Sequence, residues 1–257
     1  MTDAAMRPPS SLEPAASRWR NAFVLLAALV GVALAVRLGL WQLDRAAQKE
    51  VLQAQLEARA GAPVLAAPAL ARSPGMAAAQ ADRRVRLGGR WIAGHTVYLD
   101  NRQMDGKVGF HVVTPLLLDD SRDAVLVQRG WVARNFAERT TLPAIETPGG
   151  HVEVEGTLAL APPRLFEFSA AASGAIRQNV DPASFARETG LALLPLAVLE
   201  SATPANSRDG LARHWAPPAT GVQMHYGYAF QWFAIGTMIA FLYVWFRIVR
   251  PRQRRRS

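Results

Sequence analysis

The chain has 257 residues, half of them apolar, and a formal net charge of +9. That charge is concentrated: residues 247–257 hold six arginines and no acid, whereas residues 44–226 hold 19 basic and 18 acidic side chains. A nucleic-acid-binding domain, which needs a basic face on its folded part, is thereby disfavoured. The absence of cysteine excludes disulfides, thiolate metal sites and thiol redox chemistry.

Residues 1–20 form a short tail ending in Arg18 and Arg20. Residues 22–36 (AFVLLAALVGVALAV) then make an apolar run of 15 residues. Fifteen helical residues reach about 22 Å, short of a ~30 Å hydrocarbon core. Extending the helix over 21–43 makes it long enough, with Arg37 near the outer end where its stem can snorkel. The alternative is a cleaved secretory signal, with Ala33-Leu34-Ala35 resembling a cleavage site. Against it, the helical pattern runs on without a break through Trp41, Leu43 and residues 44–60 (DRAAQKEVLQAQLEARA).

Residues 61–81 are rich in Ala, Pro and Gly without apolar periodicity and read as a linker or irregular arm. From there the period changes to two, and a β-rich domain is expected over 82–224. RRVRLGGRW, HTVYLDNR, GFHVVTPLLL, AVLVQRGWV and HVEVEGTLAL are separated by turn residues such as Asp105-Gly106 and Pro148-Gly149-Gly150. Five short strands at such spacing predict a small antiparallel barrel or sandwich. Residues 182–190 predict one short helix, with Asp181 as N-cap, Pro182 at its first position and Gly190 as C-cap.

A second span is expected over 225–246, interrupted by few polar residues and followed by the basic tail 247–257. Arginines flanking both spans place both termini on the cytoplasmic side and the β-rich domain outside. The terminal arginine cluster serves topology or contact with an anionic lipid bilayer rather than nucleic acid. The expected fold class is a membrane protein: two transmembrane helices flanking one β-rich extracytoplasmic domain.

Catalytic patterns are missing. The chain has no G-x-S-x-G, no P-loop and no H-E-x-x-H, and its five histidines, at 95, 111, 151, 214 and 225, lack helical metal-site spacing. His95 and His151 begin predicted strands as exposed edge residues, and His111 reads as a satisfied structural histidine. His225 differs because it opens the second span, with Tyr228, Ala229 and Trp232 on its helical face. Such a histidine is an interfacial anchor or an axial haem ligand. On the first span Leu38, Trp41 and Arg45 share a face, and Arg45 and Arg37 suit anionic groups, whether lipid headgroups or haem propionates.

LGLWQLDR at 38–45, GRWIAGHTVYLDNR at 89–102, DGKVGFHVVTPLLL at 105–118, VLVQRGWV at 125–132, QNVD at 178–181 and HYGYAFQW at 225–232 occur together and in this order. This combination resembles the surfeit locus protein 1 family, the Shy-type cytochrome c oxidase assembly factors, over most of the chain from Leu38 to Phe246. The resemblance implies a non-enzymatic factor of the bacterial inner membrane. Such a factor would assist haem a insertion into, or stabilisation of, subunit I of the haem-copper oxidase. Partners implied are subunit I and haem a synthase. By the same resemblance His225 would ligate haem iron, Trp232 would be a haem-face residue, and Gly89, Arg129, Gly130 and Trp131 would be structural members of the outer domain. Tyr228, Trp41 and Arg45, from their places on the two helical faces, are further candidates for haem contact. A scaffold for subunit I that never touches haem is the alternative. The loops Asp119–Asp123 and Arg134–Thr141 are candidate docking loops.

Overall fold

The computed structural model describes residues 15–134, 142–143, 145–165, 174–215 and 221–254. They form two compact units: the described residues among 15–53 and 221–254, and those among 54–215.

The first unit is helical. Helix α1, Ala15–Gly61, is one uninterrupted run of 47 residues whose last eight belong to the second unit. The expected span and its helical extension are therefore a single element, because no proline or capping residue stops it. The C-terminal helix, here designated α4 (Val222–Val244), starts three residues before the expected boundary. It continues through a π-helical turn, Trp245–Val249, into α5, Arg250–Arg254. Helix therefore continues through residues 247–254 of the expected basic tail, and residues 255–257 lie outside the described residues. Both helical runs contain windows long and apolar enough to cross a membrane, and only 11% and 6% of those windows are buried. A core helix of a soluble protein would be mostly covered.

In the second unit the strands are β1 Arg84–Trp91, β2 Val97–Met104, β3 Lys107–Leu118, β4 Asp123–Ala133, β5 His151–Ala159, β6 Ile176–Arg177 and β7 Ala192–Glu200. The sheet order is β1-β5-β7-β4-β3-β2-β6, and an additional β1–β3 pairing closes β1, β5, β7, β4 and β3 into a barrel. All five expected strands are present, but the sheet is mixed rather than purely antiparallel. β4–β7 and β2–β6 are parallel pairs made by two strands the sequence patterns did not flag.

Closure depends on glycine. A Cβ on Gly89 would lie 2.2 Å from the Leu117 carbonyl oxygen, so only glycine permits β1 to meet β3 there. Inside the barrel Val85, Leu87, Leu116, Leu118, Val125, Val127, Val154, Leu158, Leu196 and Val198 form the core. Leu70, Ala71 and Ala77 join them, the last from helix α2, Pro74–Gln80. The expected linker 61–81 is thus partly a plug of the barrel. Leu65 bridges to Val85, and Gln80 ties its ends by accepting from Ala71 N at 2.9 Å and donating to the Ala69 carbonyl at 2.7 Å. Alanine-rich segments hide such a role because small side chains leave no legible periodicity.

On the opposite face of the sheet Val97, Leu99, Val113, Leu126 and Ala197 form a second cluster, covered by Phe185 of helix α3, Pro182–Thr189. The caps of α3 are those expected: the Asp181 carboxylate accepts from Ser184 N at 3.0 Å, and Gly190 ends the helix at φ +72°.

Candidate functional site

In the helical unit α1 and α4 meet along a seam of small residues. Ala35 is 2% exposed, Ala46 fully buried and Ala229 2% exposed, with Gly39 and Gly236 also buried. A Cβ on Gly39 would fall 2.7 Å from the Phe233 ring, and one on Gly236 would fall 3.2 Å from the Ala35 Cβ. Small residues let helix backbones approach closely where no hydrophobic effect drives association. Positions 28, 31, 35, 39, 42 and 46 follow the three- and four-residue steps of one helical stripe.

At one end of this seam His225 is half-buried and donates its Nδ1–H to the Gln42 Oε1 at 2.7 Å. Since a carboxamide oxygen can only accept, a hydrogen sits on Nδ1, and Nε2 is the nitrogen that can offer a lone pair to a metal. This is the tautomer an axial imidazole ligand needs, with the second nitrogen oriented by a hydrogen bond. The neighbouring Tyr226 hydroxyl donates to Glu50 Oε1 at 2.8 Å, a second link between the two helices. A Cβ on Gly227 would meet nothing within 4 Å, but two positions on from His225 that open surface lies on the other side of the helix. What fits an iron-bearing macrocycle here is the donor type alone, an imidazole whose Nδ1 is held by Gln42 and whose other nitrogen is Nε2.

The other expected site residues are distributed differently. Trp232 is half-buried and lies on the His225 stripe of α4. Tyr228 is 51% exposed, and Trp41 is 47% exposed on α1. Arg45 is exposed too, with its guanidinium donating to Gln48 Oε1 at 2.9 Å. The residue that meets His225 is Gln42, which the sequence patterns did not single out; its offsets of three residues from Gly39, four from Ala46 and seven from Ala35 are the signal that marks it.

The remaining histidines belong to the β-rich unit. His151 begins β5, exposed and 2.6 Å from the Asp119 carboxylate, whereas His95 sits in a helical turn before β2 rather than in it. His111 is not satisfied as expected: its Nδ1 is buried with no hydrogen-bond partner. Burial, reinforced by the nearby Arg102 charge, pushes its pKa down to about 4, so the ring is neutral at pH 7. Among the described residues no group of three or more His, Asp or Glu side chains is arranged to hold a metal ion.

The four residues expected to be structural are so. Arg129 is the extra residue of a β-bulge, because Val112 faces Gly130 while Val113 faces Gln128. Its guanidinium donates to the Thr147 hydroxyl at 2.7 Å and to the Glu146 carbonyl at 2.8 Å, and lies 4.7 Å from the Trp91 ring centroid. A Cβ on Gly130 would be 2.5 Å from Leu211 Cβ, which leaves room for Ala212 to bridge to Trp131. Trp131 donates its Nε1–H to the Arg102 carbonyl at 2.9 Å. Of the docking loops, Asp119–Asp123 is tied down by His151–Asp119 and by Arg72–Asp123 at 2.9 Å. In the other, Arg134 pairs with Asp100, and residues 135–141 lie outside the described residues.

These features define a class: a protein with two helices long and apolar enough to cross a membrane, and a closed β-barrel domain between them in sequence. The SURF1 family model matches residues 29–237, and the chain belongs to that family. The chain is 29% identical over 96 residues to the cytochrome oxidase assembly protein SHY1 of Saccharomyces cerevisiae, 37% of this chain and 24% of that protein. It is 40% identical over 65 residues to a SURF1-like protein of Dictyostelium discoideum, 25% of this chain and 24% of that one. The matched stretches thus span about a quarter of the length of each relative.

Proposed function

We propose that this chain is an assembly factor for cytochrome oxidase, anchored by α1 and α4 in a bacterial inner membrane with both termini cytoplasmic. In this reading it holds haem a for insertion into subunit I. Membership of the SURF1 family and the similarity to SHY1 support the assembly role. The observation that carries the haem reading is the His225–Gln42 pair, in which Nδ1 is taken up by the carboxamide oxygen and Nε2 is the nitrogen left to ligate iron. His225 would be the axial ligand, Gln42 the group that orients it, and Trp232 the flanking aromatic. Exposed Tyr228 and Trp41 would contribute apolar contact, and Arg45 a cation for carboxylate substituents. Haem a itself would supply the redox iron that the finished oxidase needs. Subunit I would be the recipient and haem a synthase the donor.

The test is complementation of a strain lacking the gene, read as the haem a band in reduced-minus-oxidised spectra of its membranes. Wild type should restore the band and His225→Ala should not, with b- and c-type bands unchanged. Full restoration by His225→Ala would remove haem from the reading and leave a scaffold for subunit I. An unaltered spectrum in the deletion strain would overturn the assembly role.

A further inference from the structure

The β-rich unit contains a cavity of about 590 Å³ that neither the barrel core nor the helical seam accounts for. Its position follows from strand register. His111 pairs with Trp131, and two residues on Val113 pairs with Gln128, so His111, Val113 and Gln128 share one face of the sheet. Leu199 of β7 pairs with Gln128 on the same face. This is the face that carries Val113, Leu126 and Ala197 in the second hydrophobic cluster. Beyond that cluster the apolar run stops at Gln128, where packing alone would ask for another aliphatic side chain.

Gln128 is 1% exposed, lines the cavity, and has no partner for either its Oε1 or its Nε2. Buried carboxamides left unpaired at both ends are costly, on the order of 1–3 kcal/mol per group, and are rare in folded proteins. Beside it the His111 Nδ1 is likewise buried and unpartnered. The Trp215 indole forms one wall, edge-on to the His111 ring at 5.2 Å between centroids. Trp215 is held there because its Nε1 donates to the Glu200 carbonyl at 2.7 Å. His214 and Asp105, paired at 2.9 Å and both exposed, form the rim. Cavities of roughly 300–1,000 Å³ with apolar walls and a few convergent polar groups are the usual form of a small-ligand site.

We propose that this cavity is a binding site for an uncharged planar group that both donates and accepts hydrogen bonds, a carboxamide above all, carried on an apolar body. Gln128 supplies a complementary donor and acceptor, His111 Nδ1 a further hydrogen bond, and Trp215 with Leu199 the apolar contact. A cation is disfavoured because the buried Arg102 guanidinium, whose Nε has no partner, lies close enough to disfavour charge on His111. A carboxylate would leave Gln128 Oε1 unpaired. This site goes beyond the haem reading and does not rest on it.

Three probes of one size separate the alternatives: benzamide, benzoate and benzylammonium, each titrated against the full-length chain in detergent by saturation-transfer NMR. Benzamide should bind, benzylammonium should not, and benzoate should bind at least tenfold more weakly than benzamide. Gln128→Leu should weaken benzamide at least tenfold while leaving the thermal midpoint of the free protein unchanged or raised, since it removes two unpaired polar atoms. His214→Ala, at an exposed rim position, keeps the fold and should weaken benzamide less than Gln128→Leu does. A blocked tripeptide amide with a leucine side chain distinguishes sources: tighter binding than benzamide assigns the group to a polypeptide, weaker binding to a small molecule. Equal binding of benzamide to wild type and Gln128→Leu would overturn the proposal. So would a lowered midpoint in Gln128→Leu, which would mean that its carboxamide is already paired in the free protein, or the absence of any benzamide signal.

Discussion

His225 and Gln42 stand 183 residues apart in sequence, yet the imidazole Nδ1 and the carboxamide oxygen are 2.7 Å apart where α4 and α1 meet. The hydrogen bond makes Gln42 a positioning residue for whatever Nε2 contacts. Removing such an orienting partner commonly costs ten- to a hundredfold in metal affinity. Gln42→Leu should therefore lower haem a occupancy of protein purified from cells that make haem a by about tenfold or more. Gln42→Glu, which can still accept from Nδ1, should retain most of it. Soret absorbance per mole of protein reads the difference. Equal occupancy in Gln42→Leu and wild type would mean that the hydrogen bond only holds the two helices together.

The seam itself can be probed covalently because the chain has no native cysteine. A Cβ on Gly236 would sit 3.2 Å from that of Ala35, slightly inside the roughly 3.5–4.5 Å of disulfides, a gap that small helix shifts can open. Ala35→Cys with Gly236→Cys should therefore cross-link rapidly under mild oxidation. Ala35→Cys with Ala234→Cys, on an exposed part of α4, should not. Gel mobility after protease cleavage between the helices distinguishes the products. In the same seam Gly39→Val would drive its side chain into the Phe233 ring and should lower stability by about 1–3 kcal/mol.

Much of this arrangement was legible in the sequence. The five flagged strands have clean alternation or turn boundaries, and α3 has a donor-accepting cap and a left-handed glycine at its ends. β7 was not legible: Ala192–Glu200 is a continuous apolar run broken by Pro195, which argues against a central strand. The fold accommodates Pro195 at a register shift between β4 and β7, so a parallel pair forms around it. For the candidate site, His225 stood out as the histidine opening an apolar helix. The α1 partner did not, because Trp41 and Arg45 are chemically conspicuous while the stripe facing α4 is marked by glycine and alanine.

His111 makes stability depend on pH. Its folded-state pKa of about 4 lies below the ordinary histidine value, so between roughly pH 6.5 and 4 the unfolded chain binds a proton that the native state refuses. The native state therefore loses stability as pH falls through that window and nothing further from this group below it. The loss approaches about 3 kcal/mol at pH 4. Urea unfolding of the full chain in detergent at pH 7.5 and pH 4.5 should show a smaller difference for His111→Gln than for wild type. Identical differences would mean that His111 is protonated in the native state.

The last relationship is among charges. Arg213 donates to Glu200 at 3.2 Å and pairs closely with Asp209, with side chains 2%, 5% and 11% exposed respectively. Burial pushes the Glu200 carboxyl up, and the Arg213 charge and an Asn206 hydrogen bond at 2.9 Å pull it back. Removing Glu200 leaves the guanidinium with Asp209 as its nearest counter-charge, and Asn206 loses an acceptor. Breaking one partner of a buried pair costs about 3–5 kcal/mol, whereas replacing both ends by apolar groups can be close to neutral. Glu200→Leu should thus destabilise the β-rich unit by about 3 kcal/mol. Adding Arg213→Met should return at least about 1 kcal/mol of that loss rather than deepen it. A double-mutant cycle by thermal or urea unfolding measures the coupling. Strictly additive losses would mean that Glu200 and Arg213 stabilise the fold independently, each through its other hydrogen bonds.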